Sequence, residues 1–245
     1  MEKRQAGFRK GAAVQTPEGR TAIDKLKVGD LVLSKPESGE GPIEPKRVVN
    51  TLKFERKHIW TLDYVEIPVN QDLGKLTMLK IKQLSIKGKL LGSFATPNQP
   101  FYVKGKSWVA LDQLKYGDLI PTSDPRVQVM ILQVTPVLLT TSSRKIAAAN
   151  SVVNILEANK RGETIDDVDL FNFYECSGDG RTEIIDGADY PEGFEYREEK
   201  LELTDTVYYD TVYSIEVEDH HTHFVWGNEK NAFLWAHNTT CSIDH

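Results

Sequence analysis

One ten-residue pattern occurs twice in this chain, and it limits the fold more than any other feature of the sequence. Ile23-Asp24-Lys25-Leu26-Lys27-Val28-Gly29-Asp30-Leu31-Val32 matches Leu111-Asp112-Gln113-Leu114-Lys115-Tyr116-Gly117-Asp118-Leu119-Ile120 at every apolar position and at the Gly-Asp pair. Each copy reads as a short helical turn, a Gly-Asp turn and then a strand. The glycine supplies the positive backbone angle that re-aims the chain, and the aspartate carboxylate satisfies nearby amides. One copy in each half predicts two related subdomains. A solenoid would need a shorter period and more copies.

The sequence around the copies is strand-like. The segments Gly11 to Thr16, Asp30 to Ser34, Lys46 to Glu55, Trp60 to Val65, Leu76 to Lys82, Gly92 to Thr96, Phe101 to Val103 and Val207 to Val217 are short, rich in β-branched and aromatic residues, and bounded by Gly, Pro, Asn or Asp. So many short strands predict an all-β core. The middle breaks the pattern. Ser142 to Lys160 carries Ile146, Ala149, Val152, Val153 and Leu156 at helical spacing, with Gly162 as a stop signal. From Gly162 to Asp205 there are fifteen Asp or Glu against three Lys or Arg, a balance of −12. The whole chain carries −6, so the remainder sums to +6. Residues 124 to 205 are therefore expected to be a partly helical, acidic insertion in a split core of 1 to 123 and 206 to 238, with 239 to 245 as a tail. Strand-like sequence resumes near Val207 without a linker, which argues against two sequential domains.

The 245 residues, 40% of them hydrophobic, suffice for a sizeable packed core. No run of eighteen apolar residues exists, so no membrane partner is expected. The start, MEKRQAGFRKG, lacks the apolar stretch of a secretory signal. The expected setting is the cytoplasm, or export by a route without a signal peptide inside a larger precursor. Cys176 and Cys241 are far apart and form no CxxC pair, which points away from a disulfide framework or a cysteine zinc site. No basic cluster suggests nucleic acid. The acidic insertion reads first as a solvated face, and secondly as a surface for a basic protein partner. In His220-His221-Thr222-His223, strand spacing puts His221 and His223 on one face and His220 on the other. Two histidines without a third ligand predict no metal site. No cofactor is expected. Trp226 and Trp235 read as core or hairpin-flanking residues.

Three further segments carry a resemblance. They are Gly7-Phe8-Arg9-Lys10-Gly11-Ala12-Ala13-Val14-Gln15-Thr16-Pro17-Glu18-Gly19, then Ala95-Thr96-Pro97-Asn98-Gln99-Pro100-Phe101-Tyr102-Val103, and finally Val212-Tyr213-Ser214-Ile215-Glu216-Val217-Glu218-Asp219-His220-His221-Thr222-His223-Phe224 followed by Trp235-Ala236-His237-Asn238. In order and spacing the chain resembles the Hint family of inteins and Hedgehog autoprocessing domains, especially its bacterial intein-like and pretoxin-associated members. The resemblance covers about residues 7 to 121 and 207 to 238, and leaves the insertion out. It implies a mostly β, pseudo-two-fold horseshoe that brings its ends together, with the α-containing acidic insertion set into it.

The resemblance also assigns chemistry. The family's first residue attacks the preceding peptide bond with a thiol or hydroxyl. Here Gly7 stands at that position, and a one-residue slip gives the equally inert Ala6. The histidine that would protonate the leaving nitrogen is replaced by Gln99, which exchanges no proton near neutral pH. Thr96, the other polar member of that block, remains to orient a backbone group. The N-terminal acyl shift is thus expected to be lost, and Gly7→Cys with Gln99→His tests whether the scaffold is intact and only the reagents are missing. The C-terminal half is complete: Asn238 can cyclise onto its own carbonyl, His237 can hydrogen-bond that oxygen, and His221 can move a proton. Thr239 follows the scissile bond and has no activated ester to receive, so no splicing is expected. The resemblance thus implies a degenerate, at most single-turnover self-cleaving domain whose partners are the polypeptide segments joined to it in a precursor such as a polymorphic toxin. Two alternatives are a catalytically inert Hint-fold binding module and an effector whose fold carries another activity.

Overall fold

The computed structural model of the chain describes residues 5–77, 79–81, 84, 90–141, 146–150, 168–172, 183–185, 195–196, 199–200, 203–226 and 233–238. Two compact units emerge, one of Met1–Val134 with Asp210–His245 and one of Thr135–Tyr209.

The chain is mostly β, and the first unit is an internal duplication that extends to single hydrogen bonds. Ile23–Lys25 and Leu111–Gln113 are both 3-10 turns, each entered and left through extended residues of nearly equal angles. Gly29 and Gly117 have φ of 98° and 89°, the left-handed geometry that the Gly-Asp pattern predicted. Asp30 accepts from the Lys27 amide at 2.8 Å, and Asp118 from the Lys115 amide at 3.0 Å. Gly29 N donates to Val48 O and Val48 N to Asp30 O. In the second copy Gly117 N donates to Ile131 O and Ile131 N to Asp118 O. Each copy follows a hairpin, Ala13–Thr16 with Gly19–Ala22 in the first and Pro100–Val103 with Ser107–Ala110 in the second. The core repeats in the same way. Val14, Ile23, Leu26, Val32 and Val48 are buried in one cluster with their counterparts Phe101, Leu111, Leu114, Ile120 and Ile131. Burying a side chain of this size contributes roughly 1.5–3 kcal/mol.

The pseudo-dyad can be placed. Ile23 N bonds Ala12 O as Leu111 N bonds Gln99 O, which makes Ala12 and Gln99 equivalent, 87 positions apart. Phe8 and Ala95 are separated by the same 87 positions, and they pair with each other in antiparallel strands. Equivalent segments therefore cross at that pair. Among the described residues, an eight-stranded sheet orders Leu119–Pro121, Val127–Pro136, Trp60–Pro68, Leu90–Ala95, Phe8–Arg9, Tyr209–Val217, Glu44–His58 and Leu31–Ser34. Phe8–Arg9 is thus held on both edges, and Arg9 Nε adds a 2.7 Å bond to Asp210.

Three expectations need correcting. The segment Val127–Pro136 was placed in the insertion, but it pairs with Leu119–Pro121 as Glu44–His58 pairs with Leu31–Ser34. It completes the second half of the duplication, so the division between units falls at Val134 and Tyr209. Leu76 to Lys82 is not a strand, because residues 79–81 are helical. Thr77 caps the turn, its hydroxyl accepting from Lys80 N and its carbonyl from Ile81 N. Leu79 is exposed while Ile81 is buried, a split over two residues that a helical turn provides and a strand does not. The third correction lies in the second unit. Within the expected helix Ser142 to Lys160, Ala147–Asn150 forms a strand paired with Leu138–Thr140 on one edge and Val168–Asn172 on the other. Ile146 to Ala149 are all buried, and a short run buried on both faces mimics helical spacing over so few residues. The rest of that segment, with most of the acidic stretch, lies outside the described residues.

Candidate active site

A six-stranded sheet of the first unit positions the C-terminal motif. Its order is Gly19–Ala22, Ala13–Thr16, Thr222–Trp226, Leu234–His237, Pro100–Val103 and Ser107–Ala110. The hairpins of the two repeat copies thus flank a central pair, in which Thr222 lies opposite His237 and Ala236 opposite Phe101. The strand Leu234–His237 is buried along its whole length. Trp235 packs between Tyr102, Trp108 and Phe224, which makes it a core residue.

This arrangement links most of the residues singled out in the sequence. Gly7 N donates to Thr96 Oγ1 at 3.1 Å, and Thr96 N to Gly7 O at 3.0 Å. Gln99 N donates to Thr96 O. The Gln99 side chain, fully buried, donates from Nε2 to the carbonyls of Pro100 at 3.2 Å and His237 at 3.1 Å. The His237 ring places Nδ1 on the carbonyl oxygen of Asn238 and Nε2 on Glu37 Oε2 at 2.9 Å. Trp108 packs edge-on against the same ring. Gly7, Thr96, Gln99, His237 and Asn238 therefore form one continuous path of contacts. Thr239 lies outside the described residues.

Asn238 is buried, and its side-chain amide, in the orientation that satisfies its hydrogen bonds, meets three backbone groups. Nδ2 donates to Ile215 O at 3.0 Å and His221 O at 3.2 Å, while Oδ1 accepts from Val217 N at 2.7 Å. Its own amide donates to His221 O at 2.8 Å. Here the reading of His221 changes. His221 sits in a tight turn before the strand, with φ of 53°, so the alternation that put it beside His223 does not apply. What His221 brings to Asn238 is its carbonyl. His223 lies within the strand, 1% exposed, edge-on to Phe8 and next to the Asn238 side chain. Burial pulls its pKa down to about 4, against a smaller upward pull from a hydrogen bond with the Asn238 side chain and with a further lowering from His237. No group of three metal-ligating side chains is gathered among the described residues.

The buried His223 predicts acid sensitivity. Its folded pKa lies below the unfolded value of about 6.5, so the unfolded chain binds the extra proton. Stability therefore falls as pH drops from about 6.5 to about 4. The loss attributable to this ring is on the order of 3 kcal/mol. Urea unfolding across pH 4 to 7 should show a steeper decline for the parent than for His223→Phe. Parallel curves would refute the assignment.

The backbone at Gly7 is closed to any side chain. A Cβ built on Gly7 would stand 2.5 Å from Tyr213 O, 3.0 Å from Tyr213 C and 3.4 Å from Val212 Cγ2. Ala6 is fully buried beside it.

The fold and site together define a duplicated β domain whose two halves enclose a buried His-Asn pair at the end of a central strand. The chain is similar to a bacterial intein-like domain from Clostridium thermocellum, at 18% identity over 95% of this chain and 98% of that one, with a TM-score of 0.49. It is also similar to a DnaB intein from Synechocystis sp. PCC 6803 (10% identity, 96% and 99% covered, TM-score 0.48) and to the gp41-1 intein (14% identity, 95% and 98% covered, TM-score 0.41). No protein-family model matches the chain, and no curated protein matches it.

Proposed function

We propose that this chain is a Hint-type autoprocessing domain reduced to its C-terminal half-reaction. Asn238 Nδ2 attacks the Asn238 carbonyl carbon, a succinimide closes, and the peptide bond to Thr239 breaks to free a new amine. His237 Nδ1 sits on the carbonyl oxygen where negative charge develops, and can pass its proton to the departing nitrogen. His223, kept neutral by burial, is the base for the Nδ2 proton, the role the sequence had given to His221. The observation that carries this reading is the contact between His237 Nδ1 and Asn238 O within a buried site. Gly7 and Gln99 supply neither a nucleophile nor an exchangeable proton, so neither ester formation nor splicing is part of the proposal.

A second reading, an inert scaffold, draws support from the Asn238 amide, whose three backbone bonds hold it in a settled resting arrangement. One experiment separates the two. A folded reporter is fused after His245, and parent and Asn238→Ala are followed by intact mass spectrometry. Release from the parent alone is expected, with an upstream product one water lighter than hydrolysis would give. A folded parent that stays intact through prolonged incubation would favour the scaffold.

A further inference from the structure

We infer that Glu37, in the loop after Leu31–Ser34 and 200 positions from His237, is a positioning residue for His237; the inference rests on the cyclisation proposed above. Glu37 Oε2 accepts from His237 Nε2 at 2.9 Å. The carboxylate is half exposed, so the ion pair by itself contributes little to stability. Its placement is nonetheless built at several points. The Thr222 hydroxyl donates to Lys35 O, and Lys35 N donates back to that hydroxyl at 3.3 Å. Ser34 Oγ donates to Thr222 O at 2.7 Å. Gly39 N closes a turn on Pro36 O at 2.9 Å. The Trp108 indole donates to Glu37 O at 3.1 Å while its ring packs against His237. Thr222 is also the residue paired with His237 across the central strands. The loop and its target are therefore registered by the same residue.

The consequence is directional. A carboxylate on Nε2 fixes a proton there and sets the ring rotation, so that Nδ1 faces the Asn238 carbonyl. When the ring carries its second proton, that proton is held against the oxygen at which charge accumulates, within reach of the departing nitrogen. The titratable groups that face this ring are Glu37 from the loop and His223 from the neighbouring strand, while the Lys35 ammonium lies over Trp235, 5.3 Å from that ring's centre. Glu37 is the acceptor among them, and orienting partners of functional histidines typically contribute about 10- to 100-fold.

The test uses the full chain with its downstream reporter. Glu37→Gln should slow release about 10-fold, the lower end of that range because the carboxylate is half exposed. Glu37→Asp should recover part of the rate, and neither variant should move the unfolding midpoint. Independently of cleavage, proton–nitrogen NMR of the histidine rings should show a hydrogen-bonded Nε2 proton on His237 in the parent that is lost in Glu37→Ala. That readout stands if the parent never cleaves, which would sink the cyclisation proposal alone. Unchanged release in Glu37→Gln, or an Nε2 resonance unaffected by Glu37→Ala, would overturn the role of Glu37.

Discussion

Replacing His237 with alanine is expected to slow release of the segment after Asn238 by about 100- to 1000-fold, the usual cost of removing one preorganised donor from a developing oxyanion. The ring is 1% exposed, so bulk water has little access to substitute for it. In such a site a fixed donor is worth more than in solvent, because the surroundings screen it less. Truncating the buried ring also opens a cavity next to Trp108, and the lost packing costs a few kcal/mol of stability. The rates must therefore be compared well below the unfolding midpoint of the variant. His237→Gln separates the two effects, because it fills most of the space and keeps an amide donor while losing the exchangeable proton. It should be more stable than the alanine variant yet still slow. Release at the parental rate from folded His237→Ala would remove the imidazole from the mechanism.

The features read correctly from sequence were those whose partners lie close along the chain. The Gly-Asp turn is closed by bonds spanning three residues, Lys27 to Asp30 and Lys115 to Asp118, so ten residues suffice to recognise it and its duplicate. His237 and Asn238 were found as neighbours in sequence, through the resemblance. What failed depended on register between distant segments. Val127–Pro136 was assigned to the insertion because nothing local tells a strand that ends one half of a duplication from one that begins something else. The alternation that put His221 on one face with His223 failed because the strand begins at Thr222 and His221 sits in the left-handed turn before it. Glu37 left no local trace. Its meeting with His237 depends on sheet order and on the anchoring of one loop by Thr222 and Trp108.

A marked loss of stability is also expected at Gly7, where any side chain meets a carbonyl. Gly7→Ala and Gly7→Cys should each destabilise the protein by about 1–3 kcal/mol, the common cost of forcing extra volume into a packed site. The clash at 2.5 Å is between Cβ and backbone, so rotating the new side chain does not relieve it. Nor can the main chain easily retreat. Gly7 is bonded to Thr96 through both its amide and its carbonyl, and Phe8 is paired to Ala95 on one edge and Tyr213 on the other. Gly7→Cys combined with Gln99→His is therefore expected not to produce thiol-dependent cleavage before residue 7, the question that the sequence alone left open. The histidine would also forfeit the bond by which Gln99 Nε2 holds the His237 carbonyl, unless its own ring donor reaches that oxygen. Urea midpoints and intact masses decide the matter together. If the cysteine variant is as stable as the parent and cleaves in the presence of thiol, then the strand bearing Tyr213 yields readily, and the N-terminal half has lost its reagents without losing its geometry.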